Sequence, residues 1–248
     1  MPEMLADGTN PEGVDPEPPL GWKDKSSFKD VELLNMEASP PCAKIRYHLS
    51  YAGIPYTVLT SSDFKKKYTD KVYSKVPVLV VDGRQVNDSY IIVKNLVPAL
   101  YGTPFNDEWE RKTTYGLQLA MEVEAFEDKA NWPILVTFGG APSWVATWFG
   151  CLLPLPTMAR GIRARRAKRD EMFGPLRTAK EYLDDFKKEM GSSTYFGGSA
   201  PGAVDVSVFG TMAFWKELPL LKALLEDCQL TSWFQAMEEK MPKEIVGN

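Results

Sequence analysis

The stretch of sequence that decides the fold runs over residues 75–92 and reads KVPVLVVDGRQVNDSYII. Residues 76–81 are a short apolar run, which predicts a buried strand. Asp82 and Gly83 follow as a hairpin turn, so residues 84–87 are expected to return as an antiparallel strand. Asp88 and Ser89 then open an amphipathic pattern through Leu100, which predicts a helix directly after the hairpin.

Two residues of this stretch indicate a binding function. Pro77 has no N–H to donate to a sheet, so a proline at the start of a strand indicates that the backbone there is available to a binding partner outside the sheet. Ser89 stands at the predicted N-terminus of the helix, where free N–H groups and the helix dipole favour a carboxylate. The start of the strand and the start of the helix are therefore candidate ligand contacts.

The composition is that of an ordinary globular protein with one large or two small domains. The 248 residues are 44% hydrophobic and 25% charged with a net charge of −4, and this mild acidity argues against nucleic-acid binding. Cys42, Cys151 and Cys228 are widely spaced and odd in number, which indicates a reducing compartment rather than a disulfide framework. The single histidine, His48, argues against a multi-histidine metal site, so no metal is predicted.

The sequence predicts a cytoplasmic protein, with peripheral membrane association as the alternative. Residues 1–25 lack the apolar stretch of a signal peptide. The longest apolar run, residues 144–155, is about a dozen residues long, shorter than the ~20 that a spanning helix needs, so a buried core helix is expected there. Six basic residues within 160–169 predict a solvated helix face, and weak contact with an anionic membrane surface is the alternative.

The order of predicted elements divides the chain. Residues 1–27 are rich in proline and acidic residues and predict a disordered tail, of which Leu20 and Trp22 are expected to dock on the body of the protein. Residues 28–103 read as strand, helix, strand, loop, strand, hairpin strand and helix, which is an α/β, thioredoxin-like plan. After a linker at residues 104–107, residues 108–248 predict an all-helical domain. Its predicted core stripe is Met172, Leu176, Ala179, Leu183 and Phe186.

The first predicted helix starts at Ser39-Pro40-Pro41-Cys42. Because proline fits only the first turn of a helix, Ser39 is expected at the N-cap, and Gly53 is expected to end the helix. A thiol near a helix N-terminus has a lowered pKa, and a serine hydroxyl can donate to a bound thiolate. Ser39 is therefore a candidate catalytic residue or a cap alone, and Cys42 is a buried structural thiol or a catalytic one.

Taken together, Val76-Pro77, the hairpin and the Asp88-Ser89 helix start resemble the glutathione-binding half of glutathione transferases. The resemblance implies a cis Pro77, glutathione as cosubstrate, a Val76 backbone that pairs with the glutathione cysteine, and an Asp88-Ser89 pair that holds the γ-glutamyl carboxylate. Residues 195–209 resemble the N-capping element of the family's helical C-terminal domain. In that element Asp205 is expected to reach back to free N–H groups.

Within this superfamily the sequence is similar to the membrane-associated prostaglandin E synthase type 2 branch. Residues 39–46, 75–77, 87–89, 160–169 and 196–205 carry that resemblance in order. It implies isomerisation of prostaglandin H2 to prostaglandin E2, and a haem site. Ser39 stands where the branch has a reactive cysteine, Met36 where it has a tyrosine, and the branch's membrane anchor is absent. These departures argue against both the prostaglandin chemistry and the haem site that the resemblance implies.

The sequence therefore predicts a glutathione-dependent transferase or isomerase in which Ser39 holds the thiolate of bound glutathione. The second substrate is expected to be a small hydrophobic electrophile or a lipid peroxide, and the superfamily implies a homodimer. The alternative is a non-catalytic module of the same fold that binds glutathione, haem or another protein.

Overall fold

The computed structural model describes residues 19–60, 62, 63, 73, 75–138 and 155–242. Its N-terminal part contains a four-stranded mixed sheet in the order β2-β1-β3-β4. The strands are β1 (Val31–Leu34), β2 (Thr57–Leu59), β3 (Val78–Val81) and β4 (Arg84–Asn87). β2 runs parallel to β1, whereas β3 is antiparallel to both β1 and β4. The predicted hairpin at Asp82 and Gly83 is confirmed.

The register of the sheet brings several strand ends to one edge. Leu34, the last residue of β1, pairs with Val78, the first residue of β3. Val78 in turn pairs with Asn87, the last residue of β4. The segments that follow β1, precede β3 and follow β4 therefore leave the sheet side by side. We call this boundary the site edge.

Two helices cover one face of the sheet and begin at the site edge. Helix α1 (Pro40–Ala52) is capped by Ser39, and Gly53 ends it in the left-handed conformation with φ 72°, both as predicted. Helix α2 (Ser89–Tyr101) is capped by Asp88. The apolar sides of both helices pack with Leu33 of β1 and its buried neighbours in a single core. The predicted strand, helix and hairpin order is confirmed.

The rest of the described chain is helical, as predicted. The helices are α3 (Asp107–Arg111), α4 (Gln118–Glu127), α5 (Trp132–Phe138), α6 (Leu155–Phe173), α7 (Ala179–Met190), α8 (Ala203–Ala213), α9 (Pro219–Asp227) and α10 (Thr231–Lys240). A π-helical segment, Lys112–Leu117, joins α3 to α4. Trp233 and Met237 of α10 are buried in the core of this domain.

The predicted capping element before α8 is confirmed in detail. The Asp205 carboxylate accepts hydrogen bonds from the backbone N–H groups of Phe196, Gly197 and Gly202 at 2.8, 3.0 and 2.9 Å. It also accepts from the Trp233 indole at 2.9 Å. One buried carboxylate therefore fixes the loop before α8 and ties it to α10.

The predicted core stripe needs one correction. Ala179, Leu183 and Phe186 lie on α7 and are fully buried. Met172 belongs instead to the preceding helix α6 and is 40% exposed. Gly174, with φ 77°, separates the two helices. The regular apolar spacing therefore runs across a break in the helix, and residues on either side of the break do not share one helical face.

The two domains meet where α1 packs on α8. Gly210 of α8 makes the approach close, because a Cβ at this position would lie 2.9 Å from the Lys44 Cα and 3.2 Å from the Tyr47 ring. One turn later in α1, His48 bonds Ser207, which lies about one turn earlier in α8 than Gly210. The helices therefore run antiparallel, and glycine is the residue that lets them touch.

Other predictions can be located on the structure. Arg160, Arg163, Arg165 and Lys168 of α6 are exposed, which agrees with a solvated basic face. Leu20 and Trp22 pack on the N-terminal core, and residues 25–27 of the predicted tail form a short 3-10 turn. Cys151 and most of the apolar run at 144–155 lie outside the described residues. Within the part of the chain that is described, no helix is long and apolar enough to cross a membrane.

Candidate active site

The sequence-predicted site residues come together at the site edge. Ser39 and Cys42 follow β1, Val76 and Pro77 precede β3, and Asp88 and Ser89 follow β4. The Val76-Pro77 peptide bond is cis, as the resemblance implied. The N-termini of α1 and α2 therefore face the same short segment of backbone.

Ser39 and Cys42 contact each other in the first turn of α1. The Ser39 hydroxyl accepts a hydrogen bond from the Cys42 N–H at 3.5 Å and is 4% exposed. The Cys42 thiol is fully buried, and burial raises its pKa although the Ser39 hydroxyl and the Met36 backbone both bond the sulfur. This direction is opposite to that expected from a helix N-terminus alone. A thiol held protonated and out of solvent is a poor nucleophile.

Asp88 and Ser89 form the second helix start. Asp88 has φ 74° and its carboxylate accepts from the Tyr90 N–H at 2.8 Å. Burial raises the pKa of Asp88, and the N–H of Tyr90 and the charge of Lys44 only partly offset this. Ser89 is 5% exposed. A half-buried acceptor and a helix N-terminus thus lie next to each other, a combination that suits a ligand carrying both an ammonium and a carboxylate.

Tyr73 is a site residue that the sequence did not reveal. Its ring packs on the cluster that contains Leu34 and Val78, at the site edge. Its hydroxyl bonds the Asp88 backbone, while burial and the neighbouring acidic group of Asp88 raise its pKa. No periodicity marks Tyr73, since it lies in a polar stretch before the strand, so only the fold brings it to the site.

Lys44 is the second residue that sequence reasoning missed. It is fully buried, yet its ammonium lies 2.5 Å from Glu110 Oε1 and 2.6 Å from Thr114 Oγ1. Ser207 donates to Glu110 Oε2 at 2.7 Å. Lys44 thus links α1 to the helical domain, and its charge also acts on Asp88.

The same network continues through His48. Because Ser207 donates its only hydroxyl proton to Glu110, it must accept from His48 Nε2 at 2.8 Å. His48 Nδ1 is then the acceptor for the Tyr101 hydroxyl at 2.8 Å. Burial lowers the pKa of His48 to about 3, so the ring is neutral near pH 7 and has a structural role. The spacing of Lys44 and His48, one helical turn apart, was the available signal for a polar stripe on α1.

Three comparisons with known proteins bear on this geometry. Residues 33–104 match the family described as glutathione S-transferase, N-terminal domain. Glutathione transferase GST 23 of Zea mays is 28% identical over 222 residues, covering 79% of this chain and 83% of that protein. Glutathione S-transferase U8 of Arabidopsis thaliana is 25% identical over 183 residues, covering 71% of this chain and 68% of that protein.

A solved structure gives the same fold. The glutathione S-transferase of Ceriporiopsis subvermispora in complex with glutathione matches with a TM-score of 0.50 at 15% identity, covering 87% of this chain and 99% of that chain. The chain has the glutathione transferase fold, a thioredoxin-like N-terminal domain followed by a helical C-terminal domain. The family match and the plant relatives support the glutathione S-transferase superfamily for this chain.

Proposed function

We propose that the protein is a glutathione transferase that binds glutathione at the site edge. The observation that carries this proposal is the convergence there of two capped helix starts and the backbone before β3. Glutathione is an extended peptide with a thiol, carboxylates and one ammonium. Backbone pairing and helix N-termini are the means by which such a peptide is recognised.

The roles follow from the chemistry of each group. Val76 offers its backbone to the cysteinyl residue of glutathione. Ser89 and the N-terminus of α2 donate to the γ-glutamyl carboxylate, whereas the Asp88 carboxylate accepts from the γ-glutamyl ammonium. Because an ionised Asp88 would repel a carboxylate, Asp88 is assigned to the γ-glutamyl ammonium and Ser89 to the γ-glutamyl carboxylate.

Ser39 is proposed to hold the glutathione sulfur. The thiol loses its proton to solvent, the thiolate accepts a hydrogen bond from the Ser39 hydroxyl, and the sulfur then forms a bond to an electrophilic carbon as the leaving group departs. In the structure the same hydroxyl contacts Cys42. Rotation of one O–H group redirects it, and Cys42 keeps a structural role because it is buried and protonated.

Finer predictions from the sequence have less support. The relatives described above are named glutathione transferases, and they do not support the prostaglandin isomerase reading or address haem. Both stay predictions from the resemblance. We propose a small hydrophobic electrophile as the second substrate, a homodimer, and a cytoplasmic location, each on the basis of the superfamily.

Calorimetric titration with reduced glutathione tests the proposal. Hydrogen bonds to a charged group contribute about 1.5–3 kcal/mol, so Ser89→Ala should weaken binding about tenfold or more. Ser192→Ala, a change at an exposed turn, is the matched control and should bind normally.

Turnover separates an enzyme from a binding module. Conjugation of a chloronitrobenzene should be followed in the wild type, Ser39→Ala and Cys42→Ala. The proposal expects loss of rate in Ser39→Ala at nearly unchanged glutathione affinity, and retention in Cys42→Ala. Normal binding without turnover of any electrophile by the wild type would favour the non-catalytic alternative, and no binding at millimolar glutathione would refute the proposal.

A further inference from the structure

A cavity of about 250 Å³ lies away from the site edge, beneath the linker between the domains. We call it the linker cavity. It is lined by Val93 and Val97 of α2 and by Trp109, Phe196 and Val204 of the helical part of the chain. None of the six sequence-predicted site residues lines it. Thr103, Pro104 and Asn106 at its rim are exposed, so the cavity opens to solvent through the linker.

The walls of the linker cavity are held in place without a ligand. Asp205 fixes the backbone of Phe196, Gly197 and Gly202 through three hydrogen bonds. The Trp109 ring packs edge-on against Phe196 at a centroid distance of 5.3 Å, and its indole N–H donates to Glu189 at 2.7 Å. A preformed apolar cavity loses little conformational entropy when a ligand enters.

The floor of the linker cavity is polar and carries an unused acceptor. Glu110 and Ser207 both line it. A carboxylate has about four acceptor positions, and within the described part of the chain Glu110 receives donors from Lys44, Thr114 and Ser207. Oε2 receives only the Ser207 proton in that set, so it can accept one more donor from the cavity.

The chemistry of walls and floor selects one kind of ligand. Aromatic and branched apolar walls favour a flat apolar body. The remaining acceptor on Glu110 favours a single O–H donor. Lys44 already neutralises Glu110, so a cationic ligand is not required, and an anion would face the carboxylate. We infer that the linker cavity binds a small neutral aromatic alcohol, independently of glutathione.

Titration of the full chain with 1-naphthol tests the inference. The expected result is saturable binding at one site, with affinity unchanged by saturating glutathione. Removing the donor, as in 1-methoxynaphthalene, should weaken binding about tenfold, since a hydrogen bond to a charged group is lost. 1-Naphthoate, which carries a charge, should bind more weakly still.

Variants that fill the cavity locate the site. Val204→Trp should weaken 1-naphthol binding about tenfold or more, and Ala203→Met serves as a second filling variant if Val204→Trp does not fold. Val58→Trp, at an exposed strand position, is the matched control and should bind like the wild type. Equal affinity in folded filling variants and wild type, competition by glutathione, or equal affinity for naphthol and its methyl ether would overturn the inference. Because glutathione titration is a separate readout, failure here leaves the proposed function untouched.

Discussion

Replacing Lys44 by methionine should destabilise the protein more than any exposed charge could. Lys44 is fully buried and Glu110 is 4% exposed, with 2.5 Å between Nζ and Oε1. Methionine keeps most of the chain length but leaves the Glu110 carboxylate buried without its counter-charge. Removing one partner of a buried ion pair costs about 3–5 kcal/mol, because the remaining charge is uncompensated.

That loss is large relative to the total free energy of unfolding. Natural domains have a free energy of unfolding of about 5–15 kcal/mol. For a chain of this size a loss of 3–5 kcal/mol corresponds to a fall in melting temperature of roughly 6–20 °C. Urea unfolding followed by circular dichroism measures the free energy, and a thermal scan measures the midpoint.

The double variant Lys44→Met, Glu110→Gln supplies the control. Glutamine carries no charge; its carbonyl oxygen can accept from Ser207, and its amide can donate to the Thr114 hydroxyl that Lys44 no longer occupies. The double variant should therefore recover most of the lost stability. The two changes should therefore be strongly non-additive. A loss below about 1 kcal/mol in Lys44→Met, or additive losses in the double variant, would refute the interpretation of this pair as a mutually dependent buried ion pair.

Three further predictions concern the same interface and site. Gly210→Ala places a Cβ 2.9 Å from the Lys44 backbone and should lower the free energy of unfolding by about 1–3 kcal/mol. The control is Gly161→Ala on α6, whose Cβ meets nothing within 4 Å and which should raise the free energy of unfolding by about 0.5–1 kcal/mol. Equal effects of the two changes in urea titrations would contradict the close packing at Gly210. The pKa of His48 is lowered to about 3 in the folded state, so the wild type should lose stability as pH falls below the unfolded value of about 6.5, and His48→Gln should show a shallower loss over that range. Burial raises the pKa of Asp88, so glutathione affinity should begin to fall on acidification at a higher pH than an ordinary aspartate gives, and Asp88→Asn should remove that dependence in calorimetry.

Local signals in the sequence were sufficient for the half of the fold that forms the site. The Asp82-Gly83 turn, the Ser39 cap before two prolines and the Gly53 stop each act within a few residues, and each was found where predicted. Because hairpin pairing fixes the register, locating the turn also placed Asn87 opposite Val78. The meeting of the site segments at one edge is thus largely contained in residues 75–92.

The sequence could not reveal the role of residues whose partners lie far away along the chain. Lys44 looks like a surface lysine in sequence, since its partner Glu110 is 66 residues away. Tyr73 reaches Asp88 only because the strand that follows it is paired into the sheet. Met172 fitted a regular spacing and was still misplaced, because Gly174 starts a new helix direction. Periodicity identifies a face within one helix and carries no information across a break.

Cys42 shows why magnitudes decide such cases. A helix N-terminus stabilises a thiolate by about 0.3–1 kcal/mol, which is less than one pKa unit. Full burial of an acid can raise its pKa by several units, about 3–5 at the extreme. Both effects act on Cys42, and burial prevails even with two hydrogen bonds to the sulfur. The sequence reveals the helix start but not the packing of α1 against the sheet and α8. It therefore predicts the small lowering of the Cys42 pKa by the helix N-terminus and misses the larger increase caused by burial. A serine hydroxyl donates a hydrogen bond without having to ionise, which is why we propose Ser39, and not Cys42, as the residue of this turn that holds a glutathione sulfur.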